Sequence, residues 1–297
     1  MTSTVEDLKL FLGSSAPLTL VQVAGTRGST PREKGAFMLV SAEGIHGTIG
    51  GGQLEYMAID KARQMLRSAP FRKAGGETER IDVHEVCATL DVPLGPEIGQ
   101  CCGGRVEVLI RPVDAGLAAD LVAAAEAGEA RLPYLYIFGG GHVGKALSAA
   151  VALLPVHAVV VETRAAELDG IAAGVETRLT PMPEEAVRTA PPGSAFAILT
   201  HDHALDFLIA AEALRRGDAA YVGMIGSKTK KATFRSWFLK TAGGTEAEFE
   251  RLVSPIGGDR IKDKRPAVIA ALAAAEMMSA LALHGAGAAS ELAESRL

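Results

Sequence analysis

The sequence predicts an α/β protein in two parts: a mixed α/β domain over residues 1–130, then a domain over residues 131–297 built on a parallel sheet. Three observations carry this. The first half mixes four apolar strand patterns with three helical ones, whereas the second half alternates strand and helix in the order a parallel sheet requires. The second half opens on YLYIFGGGHVG, an apolar strand followed by Gly139, Gly141 and Gly144 in GxGxxG register and then a helical run, which is the context of a Rossmann-like fold. Between the halves, AGEARLP at 127–133 is small, polar and proline-bearing, as a domain junction should be.

In chain order, residues 5–12 form a short amphipathic helix and residues 18–25 a buried strand. TRGSTPREKG then places Arg27, Arg32 and Lys34 in a loop stiffened by Pro31, before a strand at 36–40. Such a loop is suited to wrap an anion, and a solvated hairpin loop explains the same residues. GTIGGGQLE sets Gly50, Gly51 and Gly52 at the entrance of a helix over 53–66. Unshielded amides at the positive end of the dipole have the form of an anion cradle. No phosphate-loop lysine accompanies them, so a nucleoside triphosphate is not the ligand. ERIDVHEV reads as a strand ending near Cys87. GPEIGQCCGG at 95–104 follows, with two of the three cysteines, Cys101 and Cys102, among glycines that include Gly103 and Gly104. That loop predicts a ligand site with a soft donor, or else a glycine-rich hairpin with two buried thiols. His84, Cys87 and the adjacent cysteines do not make a zinc set, because neighbouring cysteines seldom share a tetrahedral metal. A strand at 106–111 and an alanine-rich helix at 114–127 close the half.

In the second half, HAVVVET is the next strand and ends on Glu162, where the fingerprint's ribose-binding acid belongs. Plain strand-to-helix packing uses the same glycines, so a bound NAD(P) is an expectation separate from the fold. A strand at 195–199 delivers Thr200, His201, Asp202 and His203 to its C-terminal end, the edge at which parallel sheets place ligands. These side chains are candidates for contacting ligand or for proton transfer, and the spacing fails the pattern of a two-histidine hydrolase metal site. After the strand in AAYVGMIG, Ser227 and Lys228 open a lysine-rich helix with an anion-suited start, or a solvated basic face. Pro266 begins a long helix to about residue 283, and the small, polar tail beyond it is expected to fray.

A net charge of −5 argues against a general nucleic-acid or anionic-membrane binder. The acidic N-terminus lacks a secretory pattern, the longest apolar run is interrupted by Glu276, and three cysteines suit a reducing compartment; a cytoplasmic protein with no membrane segment is expected. The apolar last helix can bury within one chain or across a homodimer.

Taken together, GSTPREKGAFMLV, GTIGGGQLE, the CGG at 102–104, IFGGGHVG, THDH, YVGMIGSKTK and SPIGG resemble the XdhC/CoxI family, accessory proteins of xanthine dehydrogenase and related molybdenum hydroxylases. The likeness runs in order over almost the whole chain. It implies a protein that holds the molybdenum cofactor, in its molybdopterin form, as cargo. It further implies that a cysteine desulfurase replaces a terminal oxo ligand with sulfide, and that the cofactor is then passed to the molybdenum subunit of xanthine dehydrogenase. Cys102 matches the family thiol; Cys101 is an added neighbour. The family's last helix opens on a cap and an acidic pair, which Arg265 and the residues after Pro266 do not supply. The chemistry is consistent, since a dithiolene metal, a phosphate and a pterin call for a thiol, anion-binding amides and basic side chains. Two other functions fit parts of the chain: an NAD(P)-dependent oxidoreductase using Glu162 and a strand-end histidine, and a sulfur carrier with a persulfide on Cys101 or Cys102.

Overall fold

A computed structural model describes residues 4–14, 16–68, 87–94 and 103–294. The chain divides into two compact units, residues 3–130 and 131–297.

The first unit is an antiparallel sheet with helices on both faces. Its elements are α1 (Val5–Leu12), β1 (Thr19–Arg27), β2 (Phe37–Val40), β3 (Ile45–Gly47), α2 (Gly52–Ser68), β4 (Ala88–Pro93), β5 (Arg105–Pro112) and α3 (Ala115–Glu129). The strand order is β3-β2-β1-β5-β4, every pair antiparallel. Alternation decides the two faces. Val21, Val23, Met38, Val106, Val108 and Ile110 pack with Leu54, Ala58 and Ala62 of α2, while Leu20 and Leu39 point the other way onto Leu8 of α1 and Leu121 of α3. Thr4 and Asp7 cap α1 reciprocally and Asp114 caps α3, which fixes where each helix starts. The strand expected in ERIDVHEV falls on residues outside those described, and the strand that pairs with β5 begins just after Cys87.

The second unit is a doubly wound sheet. Six parallel strands, β6 (Tyr134–Phe138), β7 (His157–Glu162), β8 (Glu176–Leu179), β9 (Ala195–Ile198), β10 (Tyr221–Met224) and β11 (Leu252–Val253), lie in the order β11-β10-β9-β6-β7-β8. The order reverses between β6 and β9, so a switch point stands at their C-terminal ends. One face (Tyr136, Phe138, Phe196, Ile198, Met224) is covered by α5 (Glu184–Thr189), α6 (His203–Arg215), α7 (Lys228–Lys240) and α8 (Glu246–Glu250). The other (Leu135, Ile137, Val160, Ala197) is covered by α4 (His142–Val151) and α9 (Pro266–Glu294).

Helix α9 corrects one sequence expectation. It continues to Glu294 where a frayed tail was expected, in keeping with the strong helix propensity of its alanines. Its stretch Pro266–Gly287, with a mean hydropathy of 1.8, is long and apolar enough to cross a membrane by length and composition. Here Ala270, Ala273, Ala274, Met277 and Leu281 pack one face of the helix onto the sheet and α4, and 28% of its most apolar window is buried. Glu276, which interrupts the apolar run, accepts a hydrogen bond from the Tyr221 hydroxyl (2.7 Å) and another from the Gly257 amide (2.8 Å). At the start of α9 the Arg265 side chain is bound to Asp263, and its carbonyl alone serves the first turn.

Candidate functional site

In the first unit the arginine loop singled out by sequence meets the Gly50 turn and the Gly103–Gly104 end of the cysteine loop. Strand β1 ends where the antiparallel β5 begins, with Arg27 opposite Arg105. The Gly103 amide donates to the Leu94 carbonyl (2.9 Å) and the Leu94 amide to the Gly104 carbonyl (2.8 Å), closing the β4–β5 connection. Residues 95–102, and with them Cys101 and Cys102, lie outside the described residues. Gly104 is required: a Cβ there would stand 2.1 Å from the Ser29 carbonyl oxygen and 2.7 Å from that of Arg27. The same loop touches Gly50, where a Cβ would come within 2.6 Å of Pro31 Cγ, and Gly50 has a φ of 125° that favours glycine. Arg27 and Lys34 are exposed and have no charged partner among the described residues, while Arg32 is half-buried beside Glu33 (3.5 Å). Lys34 stands apart from Arg27, because the neighbouring Gly35 amide bonds to Val23 further back along β1.

The glycine cradle at Gly50, Gly51 and Gly52 departs from expectation. Glu55, one turn into α2, folds its Oε1 back onto the amides of Ile49 (2.9 Å) and Gly50 (3.2 Å) and accepts the Thr48 hydroxyl as well. Burial pushes the Glu55 carboxyl up, but the Thr48 hydroxyl and the amides of Gly51, Ile49 and Gly50 outweigh it, so its pKa lies below the ordinary value. The anion that these amides attract is the chain's own.

In the second unit the glycines of GxGxxG take up their structural roles. Gly139 has a φ of 115°, and a Cβ on it would stand 2.6 Å from the Leu199 carbonyl oxygen. A Cβ on Gly144 would stand 1.9 Å from the Gly139 carbonyl oxygen, the close helix-to-strand approach that the third glycine permits. Gly141 caps α4 with open space around it. The β6 and β9 loops thus touch at the switch point, bringing Thr200 to Gly139. Glu162 ends β7 as expected, but it is buried (4% exposed) and fully engaged. Its oxygens accept the amides of Gly140 (2.9 Å), Thr163 (2.8 Å) and Arg164 (3.1 Å), and the Arg164 guanidinium lies at 3.4 Å. Burial pushes this carboxyl up; the Gly140 amide, the Arg164 side chain and the two following amides hold it down at about 2.

The THDH and GSK segments are also partly committed to the fold. Asp202 caps α6 through the Ala204 amide (2.8 Å), and Ser227 caps α7 through the Lys230 amide (3.2 Å). His201, His203 and Lys228 are exposed, and no cluster of three histidine, cysteine or acidic side chains suited to a metal occurs among the described residues. Sequence reasoning passed over the polar centre between them. Asp206, wholly buried, accepts the Thr200 amide (2.9 Å) and hydroxyl (2.7 Å) and pairs with the buried Lys230 ammonium. The partners are 24 residues apart, so no local spacing announces the pair. Glu55 did leave a trace: a carboxylate one turn after a glycine-rich helix entrance is a capping arrangement. A surface hollow of about 510 Å³ beside α1, lined by Asp7, Phe11, Ser41 and Glu43, contains none of these residues.

Fold and loops define an α/β protein in which an antiparallel unit with an arginine- and glycine-lined strand end precedes a doubly wound Rossmann unit. Comparison with known proteins makes this specific: residues 135–277 match the XdhC Rossmann domain and residues 12–80 match the XdhC and CoxI family. The chain belongs to the XdhC and CoxI family. It is 32% identical over 141 residues to the uncharacterized protein YqeB of Escherichia coli (strain K12), a match covering 47% of this chain and 21% of that protein. The matched part is thus about a fifth of that relative's length. Its fold is shared by a crystal structure described as a xanthine dehydrogenase from Bacillus halodurans, with a TM-score of 0.72 at 19% identity over 93% of this chain and 95% of that one.

Proposed function

We propose that this protein is an accessory factor of xanthine dehydrogenase that holds the molybdenum cofactor, in its molybdopterin form, while a cysteine desulfurase sulfurates it, and then passes it to the apo-enzyme. Membership of the XdhC and CoxI family supports the accessory role, and the fold shared with a protein described as a xanthine dehydrogenase agrees with it. The observation that carries the site is the packing of Gly104 onto the carbonyls of Arg27 and Ser29, which joins the strand following Cys102 to the arginine loop. In this reading the Cys102 thiol approaches the metal and sulfur end of the cargo. The phosphate falls to the side chains of Arg27 and Arg32, because Glu55 already occupies the Gly50 amide. The protein turns over no substrate of its own; it holds the cargo through a soft donor and positive charge.

The test is retention of molybdopterin through gel filtration, read by pterin fluorescence. Wild type is expected to co-elute with the pterin and Cys102→Ser to lose affinity by about tenfold or more, roughly 1.4 kcal/mol. Normal retention by Cys102→Ser would show that the thiol is not the contact, and no retention by wild type would remove the cargo reading.

A further inference from the structure

We infer that the glycine turn of the Rossmann unit is closed to NAD(P) and flavin dinucleotides in the fingerprint pose, because this chain's own Glu162 interactions and the backbone of residues 165–168 occupy the adenosine-ribose side of the turn. In that pose the pyrophosphate lies over the second glycine, and the acid ending the second strand of the unit binds the ribose hydroxyls. The space over Gly141 is open, so the first requirement is met.

The second requirement fails at two points. Glu162 has exchanged the ribose for protein donors: the Gly140, Thr163 and Arg164 amides and the Thr163 hydroxyl (3.1 Å), with the Arg164 guanidinium alongside. Replacing them with two ribose hydroxyls would trade several charge-assisted bonds for two and strand buried amides. Gly140 is itself buried under the 3₁₀ turn Ala165–Leu168: a Cβ on it would stand 2.5 Å from the Glu167 carbonyl oxygen and 3.1 Å from its carbon. Main chain therefore sits on the turn where a nucleotide would have to be admitted. Arg164 and Lys145 reach Glu167 at 3.5 and 3.8 Å and help hold that segment down. Here the fingerprint serves as a strand-to-helix joint latched by an acid.

Two measurements on the full chain decide it. Titration of NADH and NADPH, read by nicotinamide fluorescence, is expected to show no saturable binding below about 1 mM, some thousandfold weaker than a micromolar cofactor site. Saturation in the micromolar range would overturn the inference. Gly140→Ala separates a roofed turn from an open one, because the φ of Gly140 lies outside the left-handed range and the new methyl meets only the roof. We expect the variant to lose about 5 °C or more in Tm, as overpacking against main chain does. An unchanged or raised Tm would mean that the roof is absent and would overturn the inference. Neither result bears on pterin retention, so this inference and the cargo reading stand or fall separately.

Discussion

Glu162 shows how a residue with a familiar position can hold a different role. Sequence placed an acid at the end of the second strand of the Rossmann unit; the structure gives it a ring of amides and a guanidinium, and its pKa drops to about 2. A carboxylate whose folded pKa lies below its unfolded value near 4.5 stabilises the fold fully above that pH and loses the contribution as pH falls toward 2. Glu162→Gln should therefore cost roughly 3 kcal/mol at pH 7, with the gap to wild type shrinking to about half or less by pH 3. Urea unfolding at the two pH values measures this, and a gap independent of pH would contradict it. The acid's position was legible because strand and motif are local. Its distant partner was not, since the Gly140 amide, 22 residues away, reaches it only when β6 and β7 lie side by side.

At the scale of elements, helices are tied by polar contacts that pattern alone does not reveal. Asp206 at the start of α6 and Lys230 in the first turn of α7 form a buried ion pair, which Thr200 completes from the end of β9. Breaking such a pair leaves an uncompensated buried charge, so Asp206→Ala should destabilise by about 3–5 kcal/mol, whereas adding Lys230→Met should restore part of the loss. Chemical denaturation of the two single variants and the double variant tests the coupling; strictly additive losses would mean that the contact contributes little. The strands on either side of the pair and the helix opened by Ser227 were readable from apolar runs of fitting length; the capping roles of Asp202 and Ser227 were not. The short segments β3, β8, α5 and α8 were not read, because three to six residues carry too little periodicity to stand out.

For the molecule as a whole, the apolar clusters respect the division into two units. Those of residues 3–130 and those of 131–297 share no member. A unit with two buried sheet faces of its own should fold unaided. Residues 131–297 expressed alone should melt in one cooperative calorimetric transition with the far-UV signature of the intact Rossmann unit; a broad, heatless melt would show that its core depends on the rest of the chain.

The sequence alone determined the class of fold, the register of glycines at the turn after β6 and the membership of a family, because these rest on local periodicity, strand-to-helix punctuation and ordered motifs. Tertiary structure decided which of those motifs remain available to a ligand. The carboxylates of Glu55 and Glu162 turn back onto the amides that a ligand would use, whereas the Arg27 loop meets Gly104 with its charge still exposed. Whether an amide faces solvent or a neighbouring acid depends on how distant segments pack, and composition carries no record of that.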